Sequence, residues 1–301
     1  MTDPANTVRV AAPAKINVFL RVVGRRGDGF HDLQSVVLPI SLTDQLEIHA
    51  VGDPTQFRTL SLSLEMSGDV VGVPADESNL VIRAAKALAD RAGIRGFAEI
   101  ALDKRIPAAA GLGGGSSDAA ATLVALNEVW DAGLSPSELG DVAAEVGSDV
   151  PALLRPAPRL IEGRGERTSD VEAASLRWAV VTFDFGVSTA DAFGWWDEDG
   201  KPTGPAIEER LPALRGDATS LGGHLFNDLE DPVVGRHPAI GEVKRVLTDA
   251  GIPNVMSGSG PTVVGLVRDD QALDAQAESD LRRMAGRAVG MVTSMGSRPS
   301  A

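Results

Sequence analysis

Three consecutive glycines, Gly113, Gly114 and Gly115, run into Ser116-Ser-Asp118 and then without a break into the Ala- and Leu-rich stretch Ala119 to Trp130. Glycines in series expose their backbone amides, and a helix that begins beside them adds its positive N-terminal end. Successive uncovered amides over a helix start form a concavity for an anion. Any fold this chain adopts must therefore present a loop above a helix. The segment from Pro107 to Asp118 reads as a phosphate cradle, against the plainer alternative of a flexible loop before a helix. It is not a Walker A loop, because no Lys-Ser/Thr follows the last glycine. Nor is it G-x-G-x-x-G, because Ser116 falls where the third glycine should stand. Asp118, at the helix start, reads as a charge that complements the helix dipole.

The first third of the chain alternates apolar and polar residues. Val8 and Val10, then Ile16, Val18, Leu20 and Val22, keep a period of two, and Leu46/Ile48 and Leu60/Leu62/Leu64/Met66 continue it. This is the mark of antiparallel strands. From Asn79 to Ala92 the period becomes helical, with Leu80, Ala84, Ala87 and Leu88 on one face and Gly93 as the stop. A strand follows from Phe97 to Leu102. Ser135-Pro-Ser-Glu138 has capping-box spacing with Pro at the first helical position, which starts a helix that ends at Gly147. Further on, the patterns predict strands at Trp178 to Phe183, Thr262 to Val267 and Ala288 to Met295, and helices at Ala239 to Ala250 and Gln271 to Met284. A stretch rich in Pro, Gly and charge, Arg155 to Asp170, marks the boundary between an N-terminal lobe, 1–165, and a C-terminal lobe, 166–301.

Composition narrows the function. Lys and Arg number 28 against 42 Asp and Glu, a formal charge of −14 over 301 residues. A nucleic-acid backbone needs a basic face, so nucleic acid is excluded as a partner in the usual sense, while a small anion bound at a local site is not. No apolar run approaches the roughly 20 residues of a membrane span, and the N-terminus MTDPANTVRV lacks a basic-then-apolar pattern. The chain has no Cys, so disulfides, thiolate metal sites and a Cys nucleophile are excluded; a reducing cytoplasm is the expected place. With no Tyr, aromatic recognition falls to Phe, Trp and His.

Outside the glycine loop, several residues stand out. Lys15 lies where the first strand begins, opposite Ile16 and Val18; most such lysines are solvated. Asp149 follows the helix stop at Gly147 and reads locally as a cap for the next turn. Phe30-His31, beside a turn, can stack on a base and bond to its edge, or can simply enter the core. Gly258-Ser-Gly260 reads as a tight turn between strands. In Gly163-Arg-Gly165, Arg164 stands between two glycines and can reach a phosphate with little obstruction. The four His show no metal spacing, and G-x-S-x-G is absent.

The order of these motifs is more specific than any one of them. Pro13-Ala-Lys-Ile-Asn17, the Gly-Gly-Gly-Ser-Ser loop and Ser257-Gly-Ser-Gly260 resemble the three motifs of the GHMP small-molecule kinases. Asp28-Gly-Phe-His31, Ser148-Asp-Val-Pro151, Gly163-Arg-Gly-Glu166 and Asn227-Asp-Leu-Glu230 narrow the resemblance to the branch whose acceptor is a cytidine diphosphate-linked methylerythritol, in the non-mevalonate isoprenoid route. It spans Val8 to about Met295.

This resemblance implies a two-lobed α+β fold, with an N-terminal α/β ATP-binding lobe, a C-terminal ferredoxin-like lobe and the active site between them. It implies Mg-ATP as donor, a small-molecule acceptor and transfer of the γ-phosphoryl group to a hydroxyl, and it leaves the oligomeric state open. By resemblance Asp149 is the catalytic Asp, as base or orienter, and Lys15 is its partner. Pro107, Gly111, Gly113, Gly114, Gly115, Ser116 and Ser117 form the ATP-phosphate loop, with Ser117 as the metal contact by analogy. Asn79 approaches the adenine. Asn17, Gly258 and Ser259 fall in acceptor-side motifs, His31 reads the cytosine edge and Arg164 faces the diphosphate. The second stacking aromatic is Phe193 or Trp195, with Phe193 preferred. Phe30 stands where the family commonly has Tyr, which keeps the stacking face and loses the hydroxyl. Ala108-Ala-Ala110 replaces a more Gly-rich lead-in. Two rivals remain: a kinase of this fold with another acceptor, such as homoserine or mevalonate, and a nucleotide-binding regulator without chemistry.

Overall fold

The alternation that begins at Val8 continues through one long strand, β1 (Thr7–Arg25), and a second, β2 (His31–Gly52), follows after a turn. The computed structural model describes residues 6–53, 55–200 and 203–297; the first five residues, on which part of the N-terminal reading rests, lie outside them. After β2 come β3 (Leu60–Gly68), α1 (Leu80–Ala92), β4 (Gly96–Lys104), α2 (Gly114–Val129), α3 (Pro136–Val146) and the single turn α4 (Val150–Leu153). Then follow β5 (Arg159–Gly163), β6 (Arg167–Asp170), β7 (Arg177–Phe183), α5 (Thr189–Asp199), a 3-10 turn Leu211–Arg215, α6 (Ala218–Gly222) and β8 (Phe226–Asn227). The chain ends with α7 (Glu230–Arg236), α8 (Pro238–Asp249), β9 (Asn254–Met256), β10 (Val263–Val267), α9 (Ala275–Ala285) and β11 (Gly286–Thr293).

Packing divides the chain into two units that are not contiguous in sequence. One holds Met1–Ala14, Leu42–Ala108 and Gly113–Pro156; the other holds Lys15–Ser41, Ala109–Leu112 and Ala157–Ala301. Strands β1 and β2 contribute residues to both.

In the first unit the strand order is β3-β4-β2-β1. β3 runs parallel to β4, with Leu60 opposite Gly96, and β4 runs antiparallel to β2, with Ile48 opposite Ile100. Helices α1, α2 and α3 cover the sheet, so Ile48, Ile100, Leu88, Leu123 and Leu126 share one core. α1 starts and stops as its sequence predicts: the Asn79 side chain caps it by accepting from Val81 N (2.9 Å), and Gly93 ends it at φ 67°. The capping box at Ser135 and Glu138 is present at α3.

In the second unit, β8 flanks β1 in parallel, β5 flanks β2 and β6 flanks β5. A separate sheet has the order β11-β7-β10-β9, antiparallel throughout. Numbered along the chain these are strands 4-1-3-2, with α8 between the first and second and α9 between the third and fourth. That is the split βαβ arrangement of a ferredoxin-like unit. Val181, Phe183, Val243, Leu247, Val263 and Leu281 fill its core. Among the described residues no helix is long and apolar enough to cross a membrane.

Candidate active site

β1 is buried on both faces from Ala12 to Leu20, so its polar residues there must find internal partners. Lys15, which its local sequence reads as solvated, is only 6% exposed. Its Nζ donates to Asn17 Oδ1 (2.7 Å) and to Gly111 O (3.0 Å). Asn17 in turn donates from Nδ2 to Ser35 Oγ (2.7 Å) and from its backbone N to Ser257 Oγ (3.1 Å). Ser257 Oγ donates onward to Gly111 O (3.0 Å). The second unit thus assembles residues of the first and third motifs, with Gly111, around one ammonium.

Two glycines make this approach possible. Gly258 has φ 60°, and a Cβ there would lie 3.2 Å from Lys15 Nζ. Gly111 has φ 76°, and a Cβ there would run into Ser257 O. Both positions need the left-handed region, where an L side chain is strained. Gly258 therefore belongs to more than a strand-to-strand turn, although it does join β9 to β10. Asn227 fastens that turn: its Nδ2 donates to Met256 O and Gly258 O, 2.7 Å each, and its Oδ1 accepts from Leu229 N. Asp228 accepts from Val22 N and Gly204 N, and Glu230 from Met256 N. The motif Asn227-Asp-Leu-Glu230 is thus a set of backbone fasteners. Burial pushes the Asp228 carboxyl up, against the lowering effect of the two amides. Ser259 Oγ lies 3.2 Å from Thr189 Oγ1.

The first unit carries the glycine loop. α2 begins at Gly114, inside the glycine run and ahead of Asp118 and the Ala- and Leu-rich stretch, and Gly113 is its N-cap at φ 68° with no side-chain cap. The first-turn amides of Gly114, Gly115 and Ser116 are those that a helix leaves for an outside acceptor. The three glycines differ in what they allow. Gly113 supplies the left-handed turn, and a Cβ on Gly114 would lie 2.9 Å from Ile106 Cγ2; one on exposed Gly115 would meet only Leu80, at 3.6 Å. Ser117 is 2% exposed and its Oγ donates to Pro13 O (2.7 Å). Pro107 is buried and Ser116 half-buried. Asn79 is 5% exposed, with its amide donating to Pro74 O (2.7 Å) besides capping α1. Asp149 occupies the N-cap position of α4, yet its side chain makes no cap hydrogen bond, so capping is not its role.

Asp118 corrects its sequence reading most sharply. It does not face the helix dipole from solvent; it is 2% exposed and accepts from Lys104 Nζ (2.6 Å). The same Nζ donates to Asp44, which is fully buried. Burial pushes the Asp118 carboxyl up to about 7, against the opposing pull of Lys104. The paired carboxylates outweigh burial at Lys104 and raise it. Neither Asp44 nor Lys104 sits in a motif, and nothing in their sequence neighbourhood marks them.

The aromatic group lies in the second unit. His31 Nε2 is 2.9 Å from Asp197 Oδ1, its ring stacks on Phe193 (4.8 Å between centroids, 20°) and Trp196 meets its edge at 6.0 Å. One face of Phe193 is thereby taken by His31. Trp195 lies with His237 and Arg236, away from His31 among these ring contacts. Phe30 is 51% exposed, and the Arg164 guanidinium lies 3.8 Å from its ring centroid. Asp197 was invisible in the sequence, although it lies one helical turn beyond Phe193, on the same face of α5.

The chain matches the sequence profiles of the GHMP kinases N terminal domain over residues 79–155 and of the GHMP kinases C terminal domain over residues 206–283. It is 40% identical over 271 residues to the 4-diphosphocytidyl-2-C-methyl-D-erythritol kinase of Symbiobacterium thermophilum, covering 88% of this chain and 92% of that one. With the enzyme of the same name from Pseudarthrobacter chlorophenolicus the identity is 42% over 289 residues, 91% of this chain and 89% of the relative.

The chain belongs to the GHMP kinases.

A crystal structure of a 4-(cytidine 5'-diphospho)-2C-methyl-D-erythritol kinase superposes with a TM-score of 0.76 at 31% identity, over 96% of this GHMP kinase and all of that chain. The N-terminal match contains Asn79, the glycine loop and Asp149; the C-terminal match contains Asn227, Gly258 and Ser259. Lys15, Asn17, Phe30, His31, Arg164 and Phe193 lie outside both matched segments.

Proposed function

We infer that this GHMP kinase transfers the γ-phosphoryl group of ATP to the 2-hydroxyl of 4-diphosphocytidyl-2-C-methyl-D-erythritol, in isoprenoid precursor biosynthesis. The observation that carries this reading is the 40–42% identity to enzymes of that name along about nine-tenths of the chain. In the reaction the acceptor oxygen forms a bond to the γ-phosphorus, the bond from that phosphorus to the β,γ-bridging oxygen breaks, ADP leaves, and the hydroxyl gives up its proton.

Such a transfer needs positioning and electrostatic stabilisation more than covalent chemistry. In our reading the first-turn amides of α2, with Gly113, Gly114, Gly115 and Ser116, hold the ATP phosphates, supported by the uncapped N-terminus. Lys15 stabilises the charge that develops on the transferred group, supported by the bonds that fix its ammonium. Asp149 accepts or orients the hydroxyl proton, supported by its place in Ser148-Asp-Val-Pro151 within the matched N-terminal segment. Ser117 Oγ, which donates its hydrogen to Pro13 O, would offer an oxygen lone pair to Mg2+ in this reading. The ion would neutralise phosphate charge. Phe30 and Phe193 supply ring faces for the cytosine, His31 a polar edge, and Arg164 a cation for the diphosphate. Asn79, Asn17 and Gly111 act through the local structure they hold. The acceptor is a small molecule, and the cytoplasm is the compartment this reading expects.

The test is a coupled ADP-release assay with Mg-ATP and four acceptors in turn: the cytidine diphosphate-linked compound, free methylerythritol, homoserine and mevalonate. Turnover of the first alone is the expected result. Turnover of another acceptor overturns the substrate and keeps the kinase. No turnover with any, alongside intact ATP binding, favours a regulator.

A further inference from the structure

The reaction above uses neither Asp44, Lys104 nor Asp118, yet these three ionisable side chains are among the most deeply buried of the first unit. Asp44 is 0%, Lys104 3% and Asp118 2% exposed. Lys104 is the last residue of β4, and its Nζ bridges the two carboxylates. The other oxygen of Asp44, Oδ1, accepts from Arg105 N (2.5 Å) and Ile106 N (2.8 Å), the two amides that lead into Pro107. Asp118 is the fifth residue of α2, just past the loop. The cluster therefore grips the chain on both sides of residues 107–113, before the loop through Asp44 and after it through Asp118. Lys104 Nζ also lies 3.4 Å from where a Cβ on Gly114 would be, so the first residue of α2 rests directly on the ion pair.

Stability alone is a poor reason for this arrangement. Burying three charged groups costs desolvation that their attraction barely offsets, and an apolar trio of similar volume often does as well or better. The cluster also leaves Asp118 Oδ1 buried without a hydrogen-bond partner, a further cost. What an apolar trio cannot supply is direction: a carboxylate that accepts two chosen amides fixes the backbone at those amides.

We propose that Asp44, Lys104 and Asp118 are positioning residues for the nucleotide, a buried clasp that holds both ends of the phosphate loop in the geometry in which its amides meet the ATP phosphates. The proposal rests on the reading of that loop as the ATP site. The clasp acts on the donor nucleotide and not on the acceptor, and that asymmetry separates it from a role in folding alone.

The experiment measures binding of a non-hydrolysable ATP analogue by titration calorimetry, KM for ATP and for the acceptor, and Tm, for the full chain and for Asp118→Asn. The expected result is analogue binding about tenfold weaker, the loss that goes with one charge-assisted hydrogen bond. KM for ATP should rise in parallel, and KM for the acceptor should stay within about twofold. Asp118→Glu, which keeps the charge, should recover part of the affinity. If Asp118→Asn does not fold, Lys104→Arg reads the same quantities, with weaker analogue binding expected while Tm stays near that of the unmodified chain. A folded variant whose analogue affinity is unchanged, or whose two KM values move together, overturns the clasp. Analogue binding by the unmodified chain without turnover of the cytidine compound overturns the acceptor reading alone and leaves the clasp supported or refuted by its own variants. No analogue binding by the unmodified chain overturns both.

Discussion

Lys15 and Lys104 are buried almost equally, at 6% and 3% exposure, but they are held in different ways. The acceptors of Lys15 include an amide oxygen, Asn17 Oδ1, and a backbone carbonyl, Gly111 O. Lys104 is bracketed by the carboxylates of Asp44 and Asp118. The amide oxygen and the carbonyl orient the Lys15 ammonium from within the motifs, whereas two carboxylates more than cancel the charge of Lys104. Burial therefore does not tell a lysine placed for chemistry from one placed for architecture; the partners do. The difference also has a counterpart in sequence, since Lys15 sits in a motif and Lys104 in none.

The largest effect should come from the architectural lysine. Lys104→Met leaves two carboxylates buried without their cation, and removal of one partner of a buried pair typically costs about 3–5 kcal/mol. Urea denaturation should show a loss of that order. A loss under about 1 kcal/mol would break the contrast at its root, because Lys104 would then hold nothing.

Next should come the motif residues. Asp149→Ala should lower kcat by about 10²-fold or more, with a much smaller change in ATP binding, as expected for a positioned acid-base or electrostatic group. Lys15→Met should lower kcat by a similar factor, the scale for loss of one group that stabilises developing charge. Steady-state kinetics beside analogue titration separates the two effects. If Lys15→Met changed stability more than turnover, the two lysines would have to exchange roles.

How much of this was legible follows from the same contrast. Elements whose ends carry their own chemistry could be read: α1 from Asn79 and Gly93, α3 from its capping box, and the strands of the ferredoxin-like sheet from their apolar runs. The first turn of α2 reaches back into Gly114-Gly-Ser-Ser, a poor helix former that apolar periodicity does not mark. Elements between residues 184 and 236 are short and broken by Gly and Pro, so periodicity had little length to act on; α5, which carries Phe193, Trp196 and Asp197, was missed there. Lys15 was legible only through the order of the three motifs, since local pattern placed it in solvent. Asp44, Lys104 and Asp197 act through partners 60, 14 and 166 residues apart in sequence, which no local pattern encodes.

A smaller pair repeats the contrast at the aromatic group. His31 is in a motif; its partner Asp197 is not. His31→Ala removes the ring that backs Phe193 and should raise KM for the cytidine-linked acceptor by about tenfold, within the range that base stacking supplies, with KM for ATP unchanged. Asp197→Asn keeps the shape and one hydrogen-bond acceptor at His31 and should raise the same KM only about threefold. Equal effects would mean that His31 works only as Asp197 holds it.

The smallest effect should come from Phe30→Tyr. Phe30 is half exposed under the Arg164 guanidinium, so its ring offers a face that a base and a cation can both use, and the added hydroxyl leaves that face intact. One hydrogen bond is worth about 0.5–1.5 kcal/mol, and at an exposed position water competes for it, so KM for the acceptor should fall by less than about threefold. Phe30→Ala removes the face itself and should raise KM by about tenfold. The two substitutions test separate properties of one position, the edge and the face. If Tyr and Ala shifted KM by the same factor in the same direction, ring stacking would not be what Phe30 contributes, and Arg164 would remain as the polar group there to test.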